Sequence, residues 1–442
     1  MSQVVIIGAG PIGLEAALLA RQSGHDVKVV EKGGVASNVR DWGHVRLFTP
    51  FAMNSSEQGR VAVVKAFGAE SLPRDDELLT GIEFADRYLT PLSRVPELSG
   101  CVYEQHEVHS ISRQQFLKTD GIGQQKRASD PFQLLLQTND EKRTEFLIQA
   151  DIVLDCSGTY PHHNWIGPGG LRLPYEQQQL QDLDYCIRPI APDHFVNQTT
   201  LVIGAGYSAA TAIIALQELA TAFPQTKTKV IWLTRPLPDG SDRPTPIQRI
   251  PNDPLHERDR VAQRANELAL STRSAITWKR DAQVVGFGVP DVCRYKIIFE
   301  QRELTTSLGQ GSESLLRVEL NVDRIVANVG YRPNRSLYEE LQIHECYATQ
   351  GPIKLAAKLL GETSSDCLAQ TSHGCEVLKN PESNFFILGS KSYGRNSNFL
   401  LKVGLEQVRE VVTSLNPLTK LDCLRGVEAS RADQPKDMGR SG

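Results

Sequence analysis

The sequence predicts an α/β protein of two Rossmann-like domains, each a parallel sheet wound with helices, the second inserted into the first. Three observations predict it. Two glycine-rich turns, at Gly8 and Gly204, each join a β-branched apolar run to an Ala- and Leu-rich run. Two further apolar strands, at 151–155 and 385–388, stand where a divided first domain would need them. The 442 residues are too many for one ordinary core and suit two or three domains.

The first turn reads Val4-Val5-Ile6-Ile7-Gly8-Ala9-Gly10-Pro11-Ile12-Gly13. Gly8 permits a tight turn, Gly10 lets the backbone approach a diphosphate, and Gly13 lets the following helix press on the strand. The diphosphate, beside Pro11, would sit on the free N–H groups of that helix. The next strand, residues 26–30, ends on Glu31, whose carboxylate can accept ribose hydroxyls and would repel a 2′-phosphate. Such a pocket suits FAD or NAD.

The second turn reads Ile203-Gly204-Ala205-Gly206-Tyr207-Ser208-Ala209, with alanine in place of the third glycine. Its second strand, 229–233, ends on Thr234-Arg235 rather than on an acid. A guanidinium pairs with a 2′-phosphate and stacks on adenine, so this site is assigned to NADPH, with Arg243 and Arg249 as auxiliary contacts. Two unlike nucleotides in one chain imply hydride transfer between them.

These residues resemble the two-dinucleotide-binding-domain flavoproteins, which include flavin-containing monooxygenases and pyridine nucleotide-disulfide oxidoreductases. Three more segments carry the resemblance: 149–159 with its Ser157-Gly158 turn, 322–334 around Gly330, and 385–390 ending in Gly389-Ser390. The resemblance implies an FAD domain at 1–189 and 326–424, with an insertion at about 50–100, an NADPH domain at 190–325, and a polar tail at 425–442. The helix near Gly404 would aim its N–H groups at the flavin ring.

The chain departs from both branches. Disulfide reductases of this kind carry a thiol pair against the flavin, and none stands near either turn. The monooxygenase Phe-x-Gly-x3-His fingerprint is reduced to His194. The missing thiol pair favours a monooxygenase-like, FAD-dependent and NADPH-using enzyme acting on a small organic substrate. The alternatives are a reductase without its own cysteine pair, acting on a disulfide, a thioredoxin-like partner or a quinone, and a non-catalytic nucleotide sensor.

Candidate chemistry lies in two loops. Lys32 and Trp42 would line the flavin, and His44 or Arg46 would supply a proton or a positive charge to it. Between the last strand and helix, Tyr393, Arg395 and Asn396 are candidate substrate or flavin contacts. His106 and His109, three apart on a strand, face opposite ways and make a poor metal pair. His162 and His163 read as loop residues, and Cys156 as a small buried one.

Composition fits these expectations and excludes others. A net charge of −4 without a basic block gives no reason to seek nucleic acid or anionic membrane. No apolar run approaches the roughly 20 residues of a membrane span, and the start lacks a signal-peptide pattern, so a cytoplasmic protein is expected. Eight scattered cysteines read as reduced thiols. The pattern is also compatible with a homodimer.

Overall fold

Short β-branched segments bounded by glycine form the first sheet, whose order is β15-β7-β1-β2-β3. Its strands are β1 (Gln3–Ile7), β2 (Asp26–Val30), β3 (Val102–Tyr103), β7 (Ile152–Asp155) and β15 (Phe385–Ile387). All pairs are parallel, with Val4 opposite Val27 and Ile152. The computed structural model describes residues 1–415 apart from 161, 179–183, 240, 242, 289–293, 308–309, 362–367 and 369. The polar tail expected from 425, and Cys293, Cys367 and Cys423, lie outside the described residues.

Order reverses at β1, which has β2 on one side and β7 on the other. An open parallel sheet leaves a crevice at the carboxyl ends of its strands at such a point. The second sheet, β10-β9-β8-β14, repeats the device around β8. Its strands are β8 (Thr199–Ile203), β9 (Lys229–Leu233), β10 (Ile276–Lys279) and β14 (Arg324–Ala327). That sheet runs to Ala327, two residues past the boundary expected at 325.

Each parallel sheet is covered alike on its two faces. On one side of the first lie α1 (Pro11–Gln22), α2 (Ser37–Asp41), α3 (Glu57–Phe67) and α6 (Leu401–Leu415), with Leu14, Leu18, Val408 and Val412 in the core. On the other lies an antiparallel sheet of β4 (His106–Arg113), β5 (Phe132–Thr138) and β6 (Glu145–Ala150), packing Phe132 and Leu134 on Val5 and Phe385. The second sheet has α4 (Tyr207–Ala222) and α5 (His256–Leu270) on one face. Strands β11 (Ala282–Gly288), β12 (Tyr295–Ser307) and β13 (Gln310–Val322) cover the other.

The insertion at 50–100 packs behind α1, where buried Glu15 accepts hydrogen bonds from Tyr88 and Ser56, and its Leu79 and Gly81 hold Leu47 and Val45 by backbone bonds. The proline-rich stretch 236–255 forms no helix or strand among its described residues. After Pro254 the chain enters α5, where Glu257 and Asp259 in the first turn favour a helix start.

Candidate functional site

The first glycine turn closes on the carboxyl end of β1. Gly8 has φ of 100°, and a Cβ there would stand 2.9 Å from the Cys156 carbonyl oxygen. A Cβ on Gly13 would fall 1.8 Å from the Gly8 carbonyl oxygen, so only glycine admits this helix-to-strand contact. At Gly10 an added Cβ meets nothing within 4 Å, and Pro11 opens α1 with no side chain capping it. Free N–H groups and open space together fit a diphosphate.

Glu31 ends β2 nearly buried, at 8% exposure. Its carboxylate accepts from the Ala9 N–H at 2.8 Å, the Gly33 N–H at 2.8 Å and the Ser37 hydroxyl at 3.1 Å. A carboxylate offers about four acceptor positions, so one stays open for a ribose hydroxyl. Lys32 next to it turns outward to Glu107, 3.0 Å away.

The turn after β7 rests on a charged pair that the sequence reading missed. Asp155 and Lys391, both fully buried, meet at 2.6 Å, and Lys391 also donates to the Ser157 hydroxyl at 3.0 Å. Ser157 in turn donates to Asp155 through its hydroxyl and its backbone N–H. The pair ties the end of β7 to the segment after β15, and Gly158 (φ 71°) faces Ser390 across the gap. The sequence carries no local signal for this pair, whose members stand 236 positions apart. Desolvation holds the His162 imidazole below its ordinary pKa, and Lys391, Lys32 and Arg332 add to the effect.

The second turn repeats the first. Gly204 (φ 136°) has the Asn328 carbonyl oxygen 2.2 Å from where its Cβ would be, Gly206 is open, and Ala209 is fully buried against the strand. Asn328 keeps a buried side-chain oxygen without a partner beside this turn. Gly330, at φ 81°, turns the chain after β14, and Ser208 is half-buried in the first turn of α4. Arg235 is exposed at the end of β9. Burial draws the Arg243 guanidinium below its usual pKa; Asp281 raises it and nearby Arg235 lowers it. Its Nε is buried with no partner. Two neighbouring guanidiniums, one with an unmet donor, fit a phosphate. Arg249 does not join them, because Asp259 holds it through two 2.7 Å bonds.

The loop at 42–50 spans the two domains. Phe48 meets the ring of Tyr207, the first residue of α4, edge-on at 5.3 Å. Arg46 donates to the Leu78 carbonyl at 2.5 Å and lies close enough to Glu257 of α5 to lower its pKa, after the larger effect of Arg260. His44 remains exposed, with enough cover that desolvation lowers its pKa. Trp42 is wedged against Gly81, where a Cβ would stand 2.7 Å from its ring.

Tyr393 corrects an expectation. It is 1% exposed and packs on Phe399 in the core, so it supports the loop and offers nothing to a substrate. Arg395 is exposed and bonds Gln350 and Asn164, both at 2.8 Å, and the Asn396 side chain caps the Asn398 N–H. His163 stacks on Tyr185 at 3.8 Å. His109 sits at a bulge in β4, and no metal-binding group of acids, histidines and cysteines occurs among the described residues.

Five cysteines are described, and all are free thiols. Cys156, behind the first turn, is buried, and burial with the Asp155 charge raises its pKa far above the ordinary thiol range. Cys186 is half-buried next to Tyr160. No helix among the described residues is long and apolar enough to cross a membrane.

A family model described as pyridine nucleotide-disulphide oxidoreductase matches residues 2–351. Among solved structures, the bacillithiol disulfide reductase of Bacillus cereus superposes with a TM-score of 0.63 at 17% identity, over 94% of this chain and 98% of that one. Thioredoxin reductase from T. acidophilum gives 0.53 at 17% identity, over 95% and 98%. The Lactococcus lactis thioredoxin reductase gives 0.51 at 16%, over 94% and 97%. At these identities the likeness is one of fold. No curated protein matches the sequence.

Proposed function

The chain belongs to the pyridine nucleotide-disulphide oxidoreductase family, and from that premise we propose that it is an NADPH-dependent flavoprotein reductase whose electrons reach a small acceptor without a protein dithiol. FAD- and NAD(P)H-dependent oxidation and reduction is the chemistry of the family. One observation carries the finer reading: the two glycine cradles end in opposite charge, Glu31 at the first and Arg235 with Arg243 at the second.

The first cradle would hold FAD, with Gly8, Gly10, Pro11 and Gly13 at the diphosphate, Glu31 at the ribose, and Ser157, Gly158, Gly389 and Ser390 along the far side. When bound, the flavin supplies the two-electron exchange between nicotinamide and acceptor. The second would hold NADPH on Gly204, Gly206, Ser208 and Ala209, with Arg235 and Arg243 selecting the 2′-phosphate. Tyr207 and Phe48, in contact, would separate the nicotinamide end from water. His44, on the loop at 42–50, would be the residue that moves a proton.

The sequence alone favoured a monooxygenase because no thiol pair flanks the turns. That absence suits direct reduction equally, and family membership favours reduction. Turnover with NADPH under argon, against a panel of small disulfides and quinones, tests the reading. Acceptor-dependent NADPH oxidation that continues without oxygen is expected. Turnover that requires oxygen and puts an oxygen atom into the product would return the chain to the monooxygenase reading.

A further inference from the structure

Three segments leave the carboxyl ends of β7, β14 and β15 and meet on one side of the molecule. The first carries Asn164 and Trp165, the second Arg332, the third Arg395. They are stitched together by backbone: Arg332 donates its N–H to the His162 carbonyl at 2.8 Å, and Asn164 donates its own to Gly330 at 2.9 Å. The Asn164 side chain then donates to Val329 and accepts from Arg395 at 2.8 Å. Ligands of open parallel sheets bind at such carboxyl ends.

The meeting point is both basic and aromatic. The Arg332 guanidinium stands 5.8 Å from the centre of the Trp165 ring, and that of Arg172 stands 5.9 Å from it. Arg395 reaches the same place, and after burial itself the neighbouring charges of Arg332 and Arg335 are what draw its pKa down. Among the described residues, none of Arg172, Arg332 and Arg395 pairs with a carboxylate. Arg172 bonds only Gln177, and Arg395 bonds two side-chain amides.

The loop is built to hold this face still. Glu176, fully buried, accepts from the Ile166 N–H at 3.0 Å, the Leu173 N–H at 2.7 Å and the Tyr185 hydroxyl, which pins both ends of the stretch that presents Trp165 and Arg172. Two guanidiniums, those of Arg332 and Arg172, flank the indole, Arg395 adjoins them through Asn164, and with no carboxylate paired to any of the three among the described residues a ligand of opposite charge would complement the face.

We propose that Trp165, Arg172, Arg332 and Arg395 form the docking face for the electron acceptor, and that the acceptor is a small organic anion with carboxylates beside a flat apolar body. This rests on the reductase reading for what the bound molecule undergoes. For a disulfide acceptor, one hydride equivalent from NADPH breaks the S–S bond and leaves one thiol, one thiolate and NADP+. The docking itself rests only on the geometry.

Calorimetry on the FAD-loaded protein tests the docking without turnover, using isophthalate as a non-reducible probe. Isophthalate is expected to bind, more weakly as salt rises, while its uncharged dimethyl ester does not. Arg332→Gln and the fully surface-placed Arg172→Gln should each weaken isophthalate by about tenfold, the usual worth of a charge-assisted bond to a guanidinium, with FAD content as the check on folding. In turnover, the same variants should raise KM for dithiobis-nitrobenzoate, an aromatic disulfide with two carboxylates, and leave KM for uncharged dithiodipyridine where it was. Equal affinity for isophthalate and its ester, or unchanged isophthalate binding in both variants, would overturn the proposal. Intact, charge-dependent binding with no reduction of any acceptor would instead overturn the reductase reading and uphold the face.

Discussion

Glu31, Arg235 and the Asp155–Lys391 pair bear the main residue-scale consequences. Glu31→Gln keeps the size but removes the charge that the Ala9 and Gly33 N–H groups bind. It should weaken FAD by about 2 kcal/mol, the range of hydrogen bonds to a charged group, and the visible-to-ultraviolet absorbance ratio after gel filtration reads the loss. Arg235→Gln should raise KM for NADPH about tenfold or more and leave KM for NADH within about twofold, since only the former carries the 2′-phosphate. Lys391→Met strands a fully buried Asp155 carboxylate. A loss of about 3–5 kcal/mol in denaturant melts is expected, largely recovered when Asp155→Asn is added. Glu31 and Arg235 could be singled out in the sequence because each follows the strand after a glycine turn. Lys391 could not, since its partner lies more than two hundred positions away and only the pairing of β15 with β7 brings them together. Tyr393 was misjudged for the related reason that polar neighbours in sequence say nothing of which way a ring points.

At the scale of elements, the periodic signals were the legible ones. Strand, glycine turn, helix and second strand follow from residues 3–31 and again from 199–235, because backbone geometry at Gly8 and Gly204 dictates them locally. The insertion was legible as such but its position behind α1 was not, because that depends on Tyr88 and Ser56 finding Glu15. That contact has a pH signature. Burial, the dominant cause, raises the Glu15 pKa in spite of the hydrogen bonds from Ser56 and Tyr88. A carboxyl raised above its unfolded value favours folding while protonated, so its contribution is complete below the ordinary glutamate range and fades as pH climbs through the raised value. Melting temperature should therefore decline across that window in the native protein, and Glu15→Gln should flatten the slope. A slope unchanged by Glu15→Gln would place the pH dependence elsewhere.

For the whole molecule, the decisive feature is repetition with opposite charge. Two parallel sheets, each reversing strand order beside a glycine turn, are joined by the loop at 42–50 through Phe48 and Tyr207 and by the segments around Asn164 and Gly330. Composition and motif sufficed for that plan, but the basic face around Trp165 emerged only when three segments from distant parts of the chain converged. The most direct test of the plan is an anaerobic titration of the purified, FAD-reconstituted protein, followed by absorbance. Bleaching of the yellow band complete at one NADPH per flavin, with NADH far less effective at the same concentration, is the predicted result. A protein that stays colourless in excess FAD, or a flavin that NADPH leaves oxidised, would contradict it.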